Sequence, residues 1–389
     1  GNVQVLDAVI EGTFWSEWPG IIALREDLAK TLAREKDYES QLNASRRWGR
    51  EWHFRIGVHL LRGVITPEMA GLQYGELALA TLKELWFLVS SQFSRKYGLP
   101  PGRGAVLIGL GSLGTKRLHS KSDLDLILIY DPAGIELSVG EKEINSRTYY
   151  ARLTKSMVAA ISAPMTEMSL FQVDMRLRPS GNQGPVATSW ESFKHYQTSE
   201  AWVWEHLALV NATIITGPEG LKADISEFCK SLKTLRPDEK VMSGLSIMRK
   251  RLLVSRSMDE KWSLKLGQGK LQDIELVSQM GILLSNENIS GVHSGLRNLN
   301  KLKKICAEDL NYLINTYELL SSVQILSKLL LKGDIKDREL GANGRDLLFK
   351  HTDTSSIPLL IEKIAEMTSK SANIISNILP NPKEVYDER

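Results

Sequence analysis

One run of residues limits what this chain can fold into more than any other: Asp123-Leu124-Asp125-Leu126, continued by Ile127 to Tyr130. Leu124 to Tyr130 is apolar enough for a buried strand, yet two carboxylates stand two residues apart at its head. Side chains alternate along a strand, so Asp123 and Asp125 are expected on one face of a sheet. Two ionised carboxylates side by side repel, and isolating them in a core costs on the order of several kcal/mol. A hard divalent cation removes that cost, and Mg²⁺ takes oxygen ligands of this kind.

The preceding segment points the same way. Ala105 to Ile108 reads as a short buried strand and runs into Gly109-Leu110-Gly111-Ser112-Leu113-Gly114. Glycines after a strand let the backbone approach a phosphate, which backbone N–H groups and a hydroxyl can cradle. A third acid, Asp174, lies in Leu170 to Leu177, read as another strand. Alternation in that strand puts Asp174, Arg176 and Arg178 on a common face. Three carboxylates around a metal with two guanidiniums nearby suit phosphoryl or nucleotidyl transfer, since arginine's planar fork matches phosphate oxygens. The competing reading is a buried lattice of ion pairs.

Around this segment the texture is helical. Thr66-Pro67-Glu68 is a helix start, with a hydroxyl cap, proline in the first turn and an acid at the positive end of the dipole. That helix is predicted to run toward Gly98, and Pro100-Pro101-Gly102 breaks the pattern. A helix is predicted over Ser146 to Ser162, another over Glu200 to Leu209, and a last strand at Ile214-Ile215. Gly217-Pro218-Glu219-Gly220 reads as a boundary, beyond which only helices are expected, among them Glu308 to Leu331 and Ile357 to Ile378. The tail 381–389 is expected to be disordered. The first residue is Gly1 rather than Met, so a piece of a longer polypeptide is the expectation.

Composition excludes little but usefully. The net charge is +3 across 389 residues, too balanced to argue for nucleic acid or a membrane. Arg46-Arg47 and Lys301, Lys303 and Lys304 read as solvated helix faces. Cys229 and Cys306 lack the spacing of a zinc site or disulfide framework, which suits a reducing cytoplasm. No apolar stretch is long enough to span a bilayer.

With Gly111-Ser112 and Asp123-Leu124-Asp125-Leu126 in place, the chain resembles the nucleotidyltransferases of the DNA polymerase β superfamily. More narrowly it resembles the bacterial glutamine synthetase adenylyltransferases. Arg47 to Glu51, Ser122 to Asp131, Tyr149 to Thr154, Val173 to Thr188 and Ala201 to Leu209 carry the likeness. Lys265 with Gly269 and Asp273-Ile274-Glu275 looks like a later family element. The resemblance implies an α+β fold: a polymerase-β-like nucleotidyltransferase core with a small mixed sheet, preceded by helices and followed by an all-helical bundle domain. The expected division is 1–100, 101–217, 221–380 and the tail 381–389. It also implies the adenylylating half of a two-site enzyme, with one site in this chain. ATP and a tyrosine of glutamine synthetase would be substrates, with Mg²⁺ or Mn²⁺ as metal, and glutamine and a PII-type signalling protein as regulators. Asp123, Asp125 and Asp174 would be the metal ligands and catalytic acids. Gly111 and Ser112 would lie at the triphosphate, with Arg176 and Arg178 near the phosphates.

Several positions depart from the family's wording. Ser112 stands where a lysine is usual, and Arg117 where an acid is common. Asn211 and Thr213 replace arginines, and Lys270 replaces a glycine. These departures keep two alternatives open: a weakened regulatory or scaffolding relative, and a nucleotidyltransferase with another acceptor. Asp273 and Glu275 diverge on a helix and are expected in a surface or interdomain role rather than on one metal. Lys265 is expected to be solvated. His53, His59, His119, His195 and His206 are expected to be structural. Trp190, Trp202 and Trp204 are expected in a helical core rather than stacked on a base.

Overall fold

The sheet grows outward from one apolar pair of strands. In a computed structural model of the chain, β1 (Gly104–Gly109) and β2 (Leu124–Asp131) run antiparallel, from Gly104 opposite Asp131 to Gly109 opposite Leu126. Val106, Ile108, Leu124, Leu126 and Ile129 are buried, so both faces of this pair are covered. The far edge of β2 carries two short parallel strands. β3 (Val173–Asp174) pairs with its N-terminal end and β4 (Thr188–Ser189) with its C-terminal end. β5 (Thr213–Thr216) lies antiparallel along the other side of β1. This is the small mixed sheet the sequence led one to expect, in a largely helical chain. The structure describes residues 12–162, 170–254, 263–285, 287, 289–331 and 340–379; the expected disordered tail lies outside them.

The chain forms two compact units: residues 1–195 with 212–225, and residues 196–211 with 226–389. In the first, the sheet is joined by α1 (Gly20–Ala33), α2 (Tyr38–Leu61), α3 (Pro67–Tyr97) and α4 (Ser146–Ser162). Local chemistry sets their ends. The Asp37 carboxylate accepts the Ser40 N–H at 2.9 Å and starts α2. The Thr66 hydroxyl accepts the Met69 N–H at 3.2 Å, Pro67 opens α3, and Gly98 ends it at φ 82°. α3 packs against α1, α2 and α4 through buried residues such as Leu77, Leu82, Leu85 and Val89.

One run quoted for its family wording does structural work here. Tyr149 and Tyr150 of α4 are buried. Their hydroxyls donate to the carbonyls of Gly98 at 2.9 Å and Pro101 at 2.5 Å, tying α4 to the junction between α3 and β1. Arg46 corrects an expectation. It is buried, not solvated, and donates to the Ala160 carbonyl at 2.9 Å, because its helix face turns toward α4. Its neighbour Arg47 is exposed, as expected.

The second unit is helical throughout its described residues. It contains α5 (Val203–Leu209), α6 (Asp238–Val254), α7 (Leu271–Leu283), α8 (Val292–Lys301), α9 (Ala307–Leu330), α10 (Ala342–Thr352) and α11 (Ile357–Ile378). Ile274, Val277, Leu296, Leu313, Leu320 and Ile375 meet in its core. No described helix is long and apolar enough to cross a membrane.

Asp273 overturns the surface or interdomain reading. It is buried in this unit, where Arg249 donates to both its oxygens, Nε to Oδ1 at 2.8 Å and Nη2 to Oδ2 at 3.0 Å. The Gly269 N–H adds a third bond at 2.7 Å, and Arg249 also donates to Ser376 Oγ at 3.0 Å. One ion pair thus joins α6, α7 and α11. Removing one partner of a buried pair leaves the other charge uncompensated. Asp273→Ala is therefore expected to destabilise the second unit by about 3 kcal/mol, read as a lowered denaturant midpoint. An unchanged midpoint would contradict this role.

Candidate active site

The sheet brings the acids together through register. In the parallel pairing of β2 with β3, Leu124 faces Val173 and Asp125 faces Asp174. Partners on neighbouring strands point to the same face, roughly 4.8 Å apart between backbones. Asp125 and Asp174 are therefore side by side, both half-buried, while Asp123 sits exposed just before β2 begins. The Leu124 N–H donates to the Gln172 carbonyl at 2.9 Å, which extends the pairing by one bond.

The Gly-Ser segment closes over this point. After β1 the chain makes one helical turn, Gly111–Gly114. The Leu110 N–H donates to the Asp125 carbonyl at 2.9 Å, so the turn hangs from the residue that bears the carboxylate. Gly111 has φ 53°, and a Cβ there would overlap Asp125 Oδ2. Glycine is needed on two counts: the left-handed backbone and the carboxylate pressed against it.

Arginine corrects the strand predicted over Leu170 to Leu177. β3 ends at Asp174 and the chain turns, so Asp174, Arg176 and Arg178 do not alternate along one strand. The physical reason is local: the Arg176 N–H bonds to Asp174 Oδ1 at 2.8 Å instead of joining a ladder, and Pro179 has no N–H to offer. The Arg176 guanidinium then folds back, with Nε at 2.8 Å and Nη2 at 2.5 Å from Asp174 Oδ2. Arg178 instead braces the following loop, donating to the carbonyls of Met175 at 2.7 Å and Gly184 at 3.2 Å.

The charges respond accordingly. Hydrogen bonding from Arg176 holds the Asp174 carboxyl below the usual carboxylate range, against the opposing effect of burial. The same bonds raise the Arg176 guanidinium, reinforced by the negative charges of Asp125 and Asp123. Among the described residues no three acidic, imidazole or thiol side chains are drawn into a ready metal cage. The donors that meet here, Asp125 and Asp174, are all oxygen, with a cation already held against one of them. That chemistry fits a hard divalent ion.

The model of the glutamate-ammonia ligase adenylyltransferase family matches residues 2–228. The chain belongs to that family. A bifunctional glutamine synthetase adenylyltransferase/adenylyl-removing enzyme of Mesorhizobium japonicum is 32% identical over 380 residues, 94% of this chain and 38% of that protein. The protein of the same name from Brucella suis is 37% identical over 284 residues, 72% of this chain and 29% of its own. That from Rhizobium meliloti is 32% identical over 384 residues, covering 97% and 39%. The chain thus spans well under half the length of the curated relatives it matches.

Four of the departures from the family's wording have a local partner. Arg117 donates to Glu68 of α3 at 2.8 Å. The Thr213 hydroxyl, on β5, donates to the Gly114 carbonyl at 2.7 Å and anchors the end of the Gly-Ser turn. In the second unit the Asn211 amide oxygen accepts the Gly291 N–H at 3.1 Å, and Lys270 Nζ donates to the Ser263 carbonyl at 2.6 Å. Thr213 is the contributor that sequence reading missed. A threonine at the start of a strand carries no signal of the distant carbonyl it will meet.

The remaining candidates lie elsewhere. His53, His59 and His206 each bond a backbone carbonyl, of Ser120, Phe14 and Gln197 respectively, in keeping with structural roles. Lys265 is exposed, and burial pushes the Glu275 carboxyl up to about 7. Trp190 is buried, but Trp202 and Trp204 are exposed and correct the expectation of a tryptophan core; the Arg251 guanidinium lies over the Trp202 ring. The short α5 starts at Val203 and turns these two rings outward.

Gly111→Ala forces both a left-handed alanine and a clash with Asp125. It is expected to cost about 1–3 kcal/mol in denaturant unfolding of the sheet unit. An unchanged midpoint would contradict the close packing of the turn on the carboxylate.

Proposed function

We propose that the sheet unit is a polymerase-β-like nucleotidyltransferase core and that the chain carries the adenylylating activity of its family. On this reading AMP passes from ATP to a tyrosine hydroxyl of glutamine synthetase. The observation that carries the proposal is the register of Asp125 with Asp174 directly beside Gly111, inside the stretch that matches the family. The relatives' names supply the acceptor: each is a glutamine synthetase adenylyltransferase.

Asp123, Asp125 and Asp174 would hold Mg²⁺ or Mn²⁺, which when bound supplies charge to neutralise the triphosphate and to acidify an attacking hydroxyl. The chain's own residues do the rest. Gly111 lets the backbone come close to the triphosphate, with Ser112 beside it. Arg176, with an exposed guanidinium, can reach phosphate oxygens, and Arg178 braces the loop on which Arg176 stands. The tyrosine oxygen attacks the α-phosphorus, the bond from that phosphorus to the bridging oxygen breaks, and pyrophosphate leaves. The tyrosine proton passes to a carboxylate. Asp174 is a weak acceptor while Arg176 holds its carboxyl low.

Glutamine and a PII-type protein are the proposed regulators, on family grounds, and the cytoplasm the proposed setting. The rival readings, a scaffold or a different acceptor, gain no specific support, since Arg117, Asn211, Thr213 and Lys270 are locally bonded and no departure removes one of the three carboxylates.

Asp123→Asn combined with Asp125→Asn is expected to lower transfer of labelled AMP from ATP to purified glutamine synthetase by at least about a hundredfold, with the circular dichroism spectrum unchanged. Transfer at the wild-type rate would reject the site.

A further inference from the structure

We propose that Arg176 is the built-in counter-cation of the carboxylate site and that a divalent ion must displace it from Asp174 to bind. Resting on the reading of this site as a nucleotidyltransferase centre, the proposal adds an exchange: as the ion arrives, the guanidinium is released, and it becomes available to the triphosphate.

The contacts argue for competition rather than simple neighbourhood. A carboxylate offers about four lone-pair directions. Arg176 occupies three of those on Asp174: its backbone N–H on Oδ1, and Nε with Nη2 on Oδ2. Little of Asp174 is left for a metal while that arrangement stands. The two partners differ sharply in exposure, 71% for the arginine side chain and 16% for the aspartate. The guanidinium therefore covers the acid from the solvent side and can leave without unpacking any core.

Charge explains both why it sits there and why it can go. Asp125 lies in register beside Asp174, so the guanidinium meets a field larger than one carboxylate makes. A dication satisfies that field better than a monocation. The arginine side of the pair is exposed, so water can take up the guanidinium as it leaves. Once released, the planar fork is a good ligand for phosphate oxygens. The residue's two roles are thus sequential, and its position on a turn rather than a strand is what allows the swing.

The test is a titration of the full chain with Mn²⁺, in the absence of nucleotide, following the free ion by electron paramagnetic resonance. Arg176→Gln removes the competitor and is expected to bind Mn²⁺ about two- to fivefold more tightly than the wild type. Arg176→Lys keeps a charge but loses the fork, and is expected to fall between the two. The same Arg176→Gln chain is expected to bind ATP in the presence of Mn²⁺ more weakly. A residue that served only the triphosphate would leave Mn²⁺ affinity without nucleotide unchanged, and that result, or weaker binding, overturns the exchange while sparing the site. If neither chain takes up Mn²⁺, with or without ATP, the reading of the site falls and the exchange with it. Circular dichroism checks that each variant is folded.

Discussion

Two negative charges on neighbouring strands are the constraint around which the first unit is organised. Asp125 and Asp174 share a rung of the β2–β3 pairing, which spans only two residues. At an effective dielectric constant of about 20, like charges a strand-spacing apart repel by on the order of a few kcal/mol. So short a ladder cannot hold them unaided. What holds Asp125 is the long, mostly buried pairing of β1 with β2, and the Leu110 N–H on its carbonyl. What holds Asp174 is Arg176. The rigid partner is set by the core and the adjustable one by an exposed arginine, an arrangement suited to a site that must admit and release a charged ligand.

Much of this was legible in the sequence because the pattern was strong where the core is. Leu126 to Tyr130 is a continuous apolar run, and it forms a stretch of strand buried on both faces. Thr66-Pro67 and Gly98 mark the ends of a 31-residue helix that the structure bounds at Pro67 and Tyr97. Ser146 to Ser162 matches residue for residue. The side of the site formed by β3 was less legible. Alternating Asp174, Arg176 and Arg178 imitate a strand, but a short polar side chain bonding to the backbone two residues on competes with a ladder, and here it wins. Asp273 misled for a related reason. Spacing along a helix says which way a carboxylate points, but not that an arginine 24 residues earlier will be packed to meet it.

Two of the departures from the family's wording, at 211 and 213, bond to the backbone. Where arginines are expected at 211 and 213, Asn211 caps the approach to α8 and Thr213 pins the Gly-Ser turn from β5. Both are short side chains that bond to the backbone. The turn lies against Asp125, and Asp125 stands in register with Asp174.

The central claim is that these carboxylates form one cation-binding centre. Crystals grown with Mn²⁺ and a non-hydrolysable ATP analogue test it most directly, by anomalous scattering at the manganese edge. The account predicts a peak bonded to oxygens of both Asp125 and Asp174, with the Arg176 guanidinium turned away from Asp174 toward the phosphates. Density for nucleotide and manganese at any other place, with Arg176 still bonded to Asp174, would contradict it.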